Sequence, residues 1–156
     1  MQIIIRIGNL LISKNTINPM ILRDDKYITI SFDEAQSLFR TRWKQGSGDI
    51  SDSEEVKSII SDICKKLEMS RPKYYIANQK DKEVAYPVDI QRWIAEQLYA
   101  ACCASGLQYV ATVESDNISV SMSNDQMIGE VEIKNGIKVA TFTDESAALR
   151  WMNLEK

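Results

Sequence analysis

The 156-residue sequence contains no histidine. That absence excludes Ser-His-Asp and Cys-His triads, histidine general bases and histidine metal ligands. Its three cysteines, Cys64, Cys102 and Cys103, are odd in number and have no C-x-x-C spacing. They point to a reduced, cytoplasmic protein without a disulfide framework and without a metal centre. Basic charge is not in excess: 19 Lys and Arg stand against 22 Asp and Glu, for a net charge of −3. Neither nucleic acid nor an anionic membrane surface is recruited by such a balance. No apolar run reaches the roughly 20 residues needed to span a bilayer, and Arg6 interrupts the apolar start. No basic residue precedes that start and no small-residue cleavage site follows it, so no signal or anchor is expected.

What remains is the composition of an ordinary globular chain, 44% hydrophobic and 26% charged. This excludes a disordered or collagen-like chain, and the length suits one domain with its own core.

Residues 1–12 are apolar and 13–19 carry turn residues, so 1–19 is either an N-terminal extension or an extra strand. Residues 20–156 are then a single domain. In Tyr27-Ile-Thr-Ile-Ser-Phe32 the polar and apolar positions alternate, and Ser37 to Trp43 alternates again. The pattern predicts a β-hairpin over 26–44. Ser51 with Glu54 has capping-box spacing, and Val56, Ile59, Ile60, Ile63 and Leu67 form one helical stripe. A strand is expected at 72–77. A second helix starts near Pro87, buries Ile90, Trp93, Ile94, Leu98, Ala101 and Cys102, and stops at Gly106. Strands at 107–113 and 137–142 flank a short helix suggested by Ser123, Gln126, Met127, Ile128 and Val131. Thr143 or Asp144 caps a last helix. The fold class is therefore α/β: a mixed, mostly parallel sheet opened by an N-terminal antiparallel hairpin, with about four helices. Parallel strands need such crossovers, which are right-handed.

This order and three strings resemble the STAS superfamily, the anti-sigma-factor-antagonist-like (SpoIIAA-like) fold, and look closest to its small stand-alone bacterial members. The strings are Tyr27 to Asp33 with Trp43, Pro72 to Asn78 followed by Pro87 to Trp93, and Val139 to Met152. The resemblance covers 20–156 and implies a non-enzymatic, regulatory protein-interaction module. Regulatory members carry a phosphorylatable serine at the N-terminus of the helix after a central strand, where backbone N–H groups and the helix dipole meet the phosphate. The matching stretch here, 78–89, has no Ser or Thr.

Other chemical candidates read as structure. Glu54 and Glu55 suit a helix first turn, and Asp24 and Asp25 a turn before a strand. Gly46-Ser-Gly48 lacks the Lys-Ser/Thr of a phosphate loop. Arg40, Arg42 and Lys44 read as a solvated face. Trp93 and Trp151 read as packing aromatics. No catalytic residue, metal ligand or cofactor motif emerges.

The functional surface is expected at 78–86 and the start of the following helix. The loop follows the C-terminal end of a central strand, where open α/β sheets place their sites, and it is long for such a connection. Asn78 and Gln79 are the hydrogen-bonding candidates, Tyr86 the amphipathic contact residue and Asp89 the first-turn acid. Asp89 already satisfies the positive helix end, so the partner is expected to be a protein or a neutral ligand. The exposed hairpin edge and apolar start predict a homodimer. The alternative reading is a carrier of a small apolar ligand, which would require a closed apolar cavity of roughly several hundred Å³.

Overall fold

The apolar start of the chain folds as a hairpin. Strands β1 (Gln2–Ile7) and β2 (Leu10–Asn15) pair antiparallel, Gln2 opposite Asn15 and Ile7 opposite Leu10. The computed structural model describes residues 2–7, 10–15, 19–83, 85–117 and 136–155. Among these, β1 and β2 form a two-stranded sheet of their own and share no strand pairing with the rest. The extra-strand alternative for 1–19 thus becomes two strands.

The main sheet starts with a strand that periodicity did not reveal. Met20–Asp24 is β3 and pairs antiparallel with β4, Ile28–Asp33, with a register shift between Ile21 and Arg23. Five residues of uneven pattern hid it, since the bulge interrupts the two-residue period. Asp24 ends that strand rather than preceding one. Asp25 does make the turn, its Oδ1 accepting from the Tyr27 and Ile28 amides at 2.8 and 2.9 Å. Strand β4 then pairs with β5, Leu38–Trp43, in the expected hairpin, Ile28 opposite Trp43.

From β5 onward the sheet is parallel: β6 (Tyr74–Asn78), β7 (Tyr109–Val113) and β8 (Lys138–Phe142). The spatial order is β3-β4-β5-β6-β7-β8, so every strand lies beside its chain neighbour. The protein is α/β with a six-stranded mixed sheet. Three helices are found among the described residues, not four; the helix expected around 123–131 lies outside them.

Helix α1, Ser53–Ser70, buries the predicted stripe from Val56 to Leu67. Its cap is Asp52, whose side chain accepts from the Glu54 amide at 2.9 Å, and not Ser51. The carboxylate serves the dipole as well as the orphan N–H, which a serine does not. Helix α2, Val88–Ser105, begins one residue after Pro87 and ends at Gly106, whose φ of 77° fits the left-handed turn. Both helices pack on one face of the sheet, against Ile28, Ile30, Phe39, Trp43 and Tyr75. Each fully buried side chain of this size contributes roughly 2 kcal/mol. Helix α3, Glu145–Trp151, is capped by Asp144, whose Oδ1 accepts from Ala147 at 2.8 Å. It covers the opposite face through Ala148 and Met152, over Leu38, Ile76, Ala111 and Val113. Trp151 packs edge-on against Tyr109, ring centroids 5.5 Å apart, as a packing aromatic should.

Arg40, Arg42 and Lys44 are all ion-paired, to Glu145 at 2.6 Å, Asp81 at 3.5 Å and Asp24 at 2.6 Å. They do not form a free basic stripe. Gly46 sits where a Cβ would come within 2.2 Å of the Lys26 carbonyl oxygen, so the Gly-Ser-Gly string is a close-packed 3-10 turn over 45–49. Cys64 and Cys102 face the interior, and burial pushes their thiols up to about 11 and about 12. Neither is a ready thiolate. No described helix is long and apolar enough to cross a membrane.

Candidate functional site

The loop after β6 folds back toward the sheet rather than out into solvent. Asn78 Oδ1 accepts from the Lys80 amide at 3.0 Å, an Asx-type turn. The Gln79 amide donates to the Val113 carbonyl at 2.9 Å, which extends the β6–β7 pairing by one residue. The Lys82 amide then donates to the Gln79 carbonyl at 3.0 Å, closing a second turn. Two neighbouring segments pin the loop: Ser115 Oγ donates to the Lys82 carbonyl at 2.9 Å, and the Glu83 amide donates to Ser47 Oγ at 3.4 Å.

These turns drive the Lys82 side chain inward, where it is only 5% exposed. Its Nζ lies 4.5 Å from the ring centroids of both Trp43 and Tyr86, held between two aromatic faces. No carboxylate among the described residues pairs with it. Burial lowers the amine to about 7, from an ordinary value of 10.5. Desolvation penalises the charged form, and among the described residues no ion pair offsets it.

Lys82 borders a cavity of about 90 Å³ between the sheet and helices α1 and α2. Ile63, Ile94, Leu98 and Val139 supply apolar wall. Gln79, Thr112 and Lys82 bring the polar groups. Gln79 is 8% exposed, and its Oε1 has no hydrogen-bond partner. The buried Tyr86 hydroxyl is likewise unpartnered, and burial raises its titration well above the usual tyrosine value. Leaving such groups unpaired costs about 1–3 kcal/mol each; of the two, Gln79 lines the cavity, where a ligand could complete its bonding.

The four sequence candidates are therefore divided. Gln79 and Tyr86 come together around Lys82. Asn78 points to the opposite face, where its Nδ2 donates to Glu145 Oε2 at 3.2 Å; it is a structural residue. Asp89 is exposed in the first turn of α2, apart from the cavity. Tyr86 is not an exposed contact residue: it packs against the core, and its carbonyl accepts from Gln91 Nε2 at 2.6 Å. Sequence reasoning missed Lys82. In Asn78-Gln-Lys-Asp-Lys-Glu83 it looks like Lys80, which is exposed. The mostly apolar space under α1 and α2 is about 90 Å³, smaller than the expected carrier cavity and not wholly apolar; a second space of about 280 Å³ beside Lys82 is lined by the polar residues Gln45, Asp81, Glu83, Asp116 and Asn117.

No family model matches the sequence, and no curated protein or solved structure matches the chain.

Proposed function

We propose that the protein is a non-enzymatic binding module for a small polar-headed molecule, seated in the cavity behind Lys82. The observation that carries this reading is the meeting of a buried lysine with no carboxylate partner among the described residues, an unpartnered Gln79 Oε1 and a mostly apolar wall around one empty space. Buried polar groups are satisfied in folded proteins, so unsatisfied ones gathered at one point need a reason. The cavity offers about 90 Å³ of space. It suits a ligand of a few heavy atoms and is too small for a lipid chain. The small-ligand alternative is thus kept, with a polar head in place of a purely apolar body. Three unbridged cysteines suit a cytoplasmic setting.

Butanamide is the test probe: its NH2 can donate to Gln79 Oε1 and its carbonyl can accept from Lys82. Saturable shifts of the Trp43 indole resonance on titration are expected, and Ala95→Leu, which fills the cavity, should abolish them. A wild-type spectrum that stays unchanged up to the solubility limit rejects the reading.

A second reading, the STAS-like regulatory interaction module, is favoured by one observation. Strand β3 is one of the two edges of the main sheet, and Met20 and Ile21 on it are each 54% exposed. Such an edge invites pairing. A second copy of the chain is the proposed partner. Ile21→Lys should shift the protein from dimer to monomer in light scattering; a wild-type monomer at high concentration removes this reading.

A further inference from the structure

The geometry points to Lys82 as a reactive amine that captures a small aldehyde or ketone as an imine inside the cavity. This deepens the binding reading above, since it assigns the chemical class of the ligand.

Three features support it. The amine is enclosed at the border of the cavity, flanked by Trp43 and Tyr86, and no carboxylate among the described residues holds it as an ammonium. On the cavity side its walls are mostly apolar, and burial favours the neutral amine, the nucleophilic form. Gln79 brings an unpartnered acceptor to the same cavity.

That acceptor disfavours a carboxylate ligand. A carboxylate ligand could pair with a lysine ammonium, but it has no hydrogen to give Gln79 Oε1. A carbonyl compound, once added to the amine, gives a carbinolamine hydroxyl and then a protonated imine N–H. Both are donors, and both can satisfy an amide oxygen.

The step needs only a solvent proton beside the amine and the carbonyl. The Nζ lone pair attacks the carbonyl carbon, and the C=O π pair passes to oxygen. Oxygen takes up a proton as nitrogen loses one, giving the carbinolamine. The hydroxyl then takes up a proton from solvent, the C–O bond breaks, water leaves, and the nitrogen lone pair forms the C=N bond of the protonated imine. Hydrolysis reverses each step, so capture is reversible and suits a sensor or carrier. A cavity of about 90 Å³ restricts the ligand to a short chain.

Butanal with sodium cyanoborohydride at pH 7 tests this on the full-length protein. Hydride reduction fixes the imine as a secondary amine, and peptide mapping by mass spectrometry locates it. Ordinary exposed lysines titrate near 10.4 and are almost wholly protonated at this pH. The expected result is an initial labelling rate at Lys82 on the order of tenfold or more above that of any other lysine. Lys82→Arg should remove the fast phase and leave the slow labelling unchanged. Equal or slower labelling of Lys82 than of exposed lysines overturns the proposal. Butanamide, which cannot form an imine, separates the two ideas. Butanamide binding with an unreactive Lys82 rejects imine capture and leaves the binding reading standing. Failure of both probes rejects both. Fast labelling of Lys82 without butanamide binding supports capture and rejects the noncovalent reading.

Discussion

At pH 6, Lys82→Met is expected to unfold at a higher urea concentration than the parent chain, with an unchanged m-value. The lysine sits 5% exposed with an amine lowered to about 7 by burial. An unfolded lysine titrates near 10.4. Between those values the unfolded chain binds one more proton than the folded chain, so stability rises with pH across the window. Below about pH 7 both states are protonated, and the full cost of the buried charge is present. A shift of this size corresponds to roughly 5 kcal/mol at most, at 1.36 kcal/mol per unit. The Trp43 and Tyr86 faces return part of it, at about 0.5–2 kcal/mol for such contacts. The net gain for methionine at pH 6 is therefore about 2–4 kcal/mol. Methionine is also unbranched and fills a similar tube of space. By pH 10 most of that advantage should be gone, because the folded lysine is then neutral. Urea titrations of both proteins at the two pH values check this. Taking the difference at each pH cancels the thiols and tyrosines that the two chains share. A methionine variant that is less stable at pH 6 would show that the folded state holds the ammonium favourably.

Trp43→Ala carries the second large effect, in the opposite direction. Trp43 is 2% exposed at the end of β5, within the core cluster under α1 and α2. Truncation of a buried tryptophan costs about 3–5 kcal/mol, from lost burial and the void left behind. That is a large part of the roughly 5–15 kcal/mol typical of a domain. The same ring forms one of the two faces over the Lys82 amine. Its loss joins new space to the cavity and admits water, so the charged amine becomes less costly. The stability difference between the parent and the Lys82→Met variant should then shrink when both carry Trp43→Ala. Urea midpoints of the four proteins at pH 6 form a double-mutant cycle that reads this coupling. Additive effects of the two substitutions would place Trp43 outside the lysine's environment.

The sequence by itself determined the α/β class, the β4–β5 hairpin, the inward face of α1 and, at Ile90, Ile94, Ala101 and Cys102, that of α2, whose Trp93 and Leu98 are only half-buried. Each of these rests on a local period: two residues for Ile28, Ile30 and Phe32, and three to four for Val56 through Leu67. Local chemistry likewise marked Gly106 and Asp144, since a helix end needs either a left-handed residue or a side-chain acceptor nearby. Gln79 and Tyr86 were legible only as members of a long loop after a central strand. Tertiary structure alone decided three matters. It made Met20–Asp24 a strand, because β4 offers an edge that a bulged segment without clear alternation can still pair with. It turned Asn78 into a partner of Glu145, 67 residues away, across the face opposite the cavity. It separated Lys82 from Lys80. Both are lysines in one polar string, and no period or spacing distinguishes them. Hydrogen bonds from Gln79 to β7, from Ser115 to the Lys82 carbonyl and from Glu83 to Ser47 set the loop's direction. They place one lysine in solvent and the other between two aromatic rings, and burial then alters its chemistry.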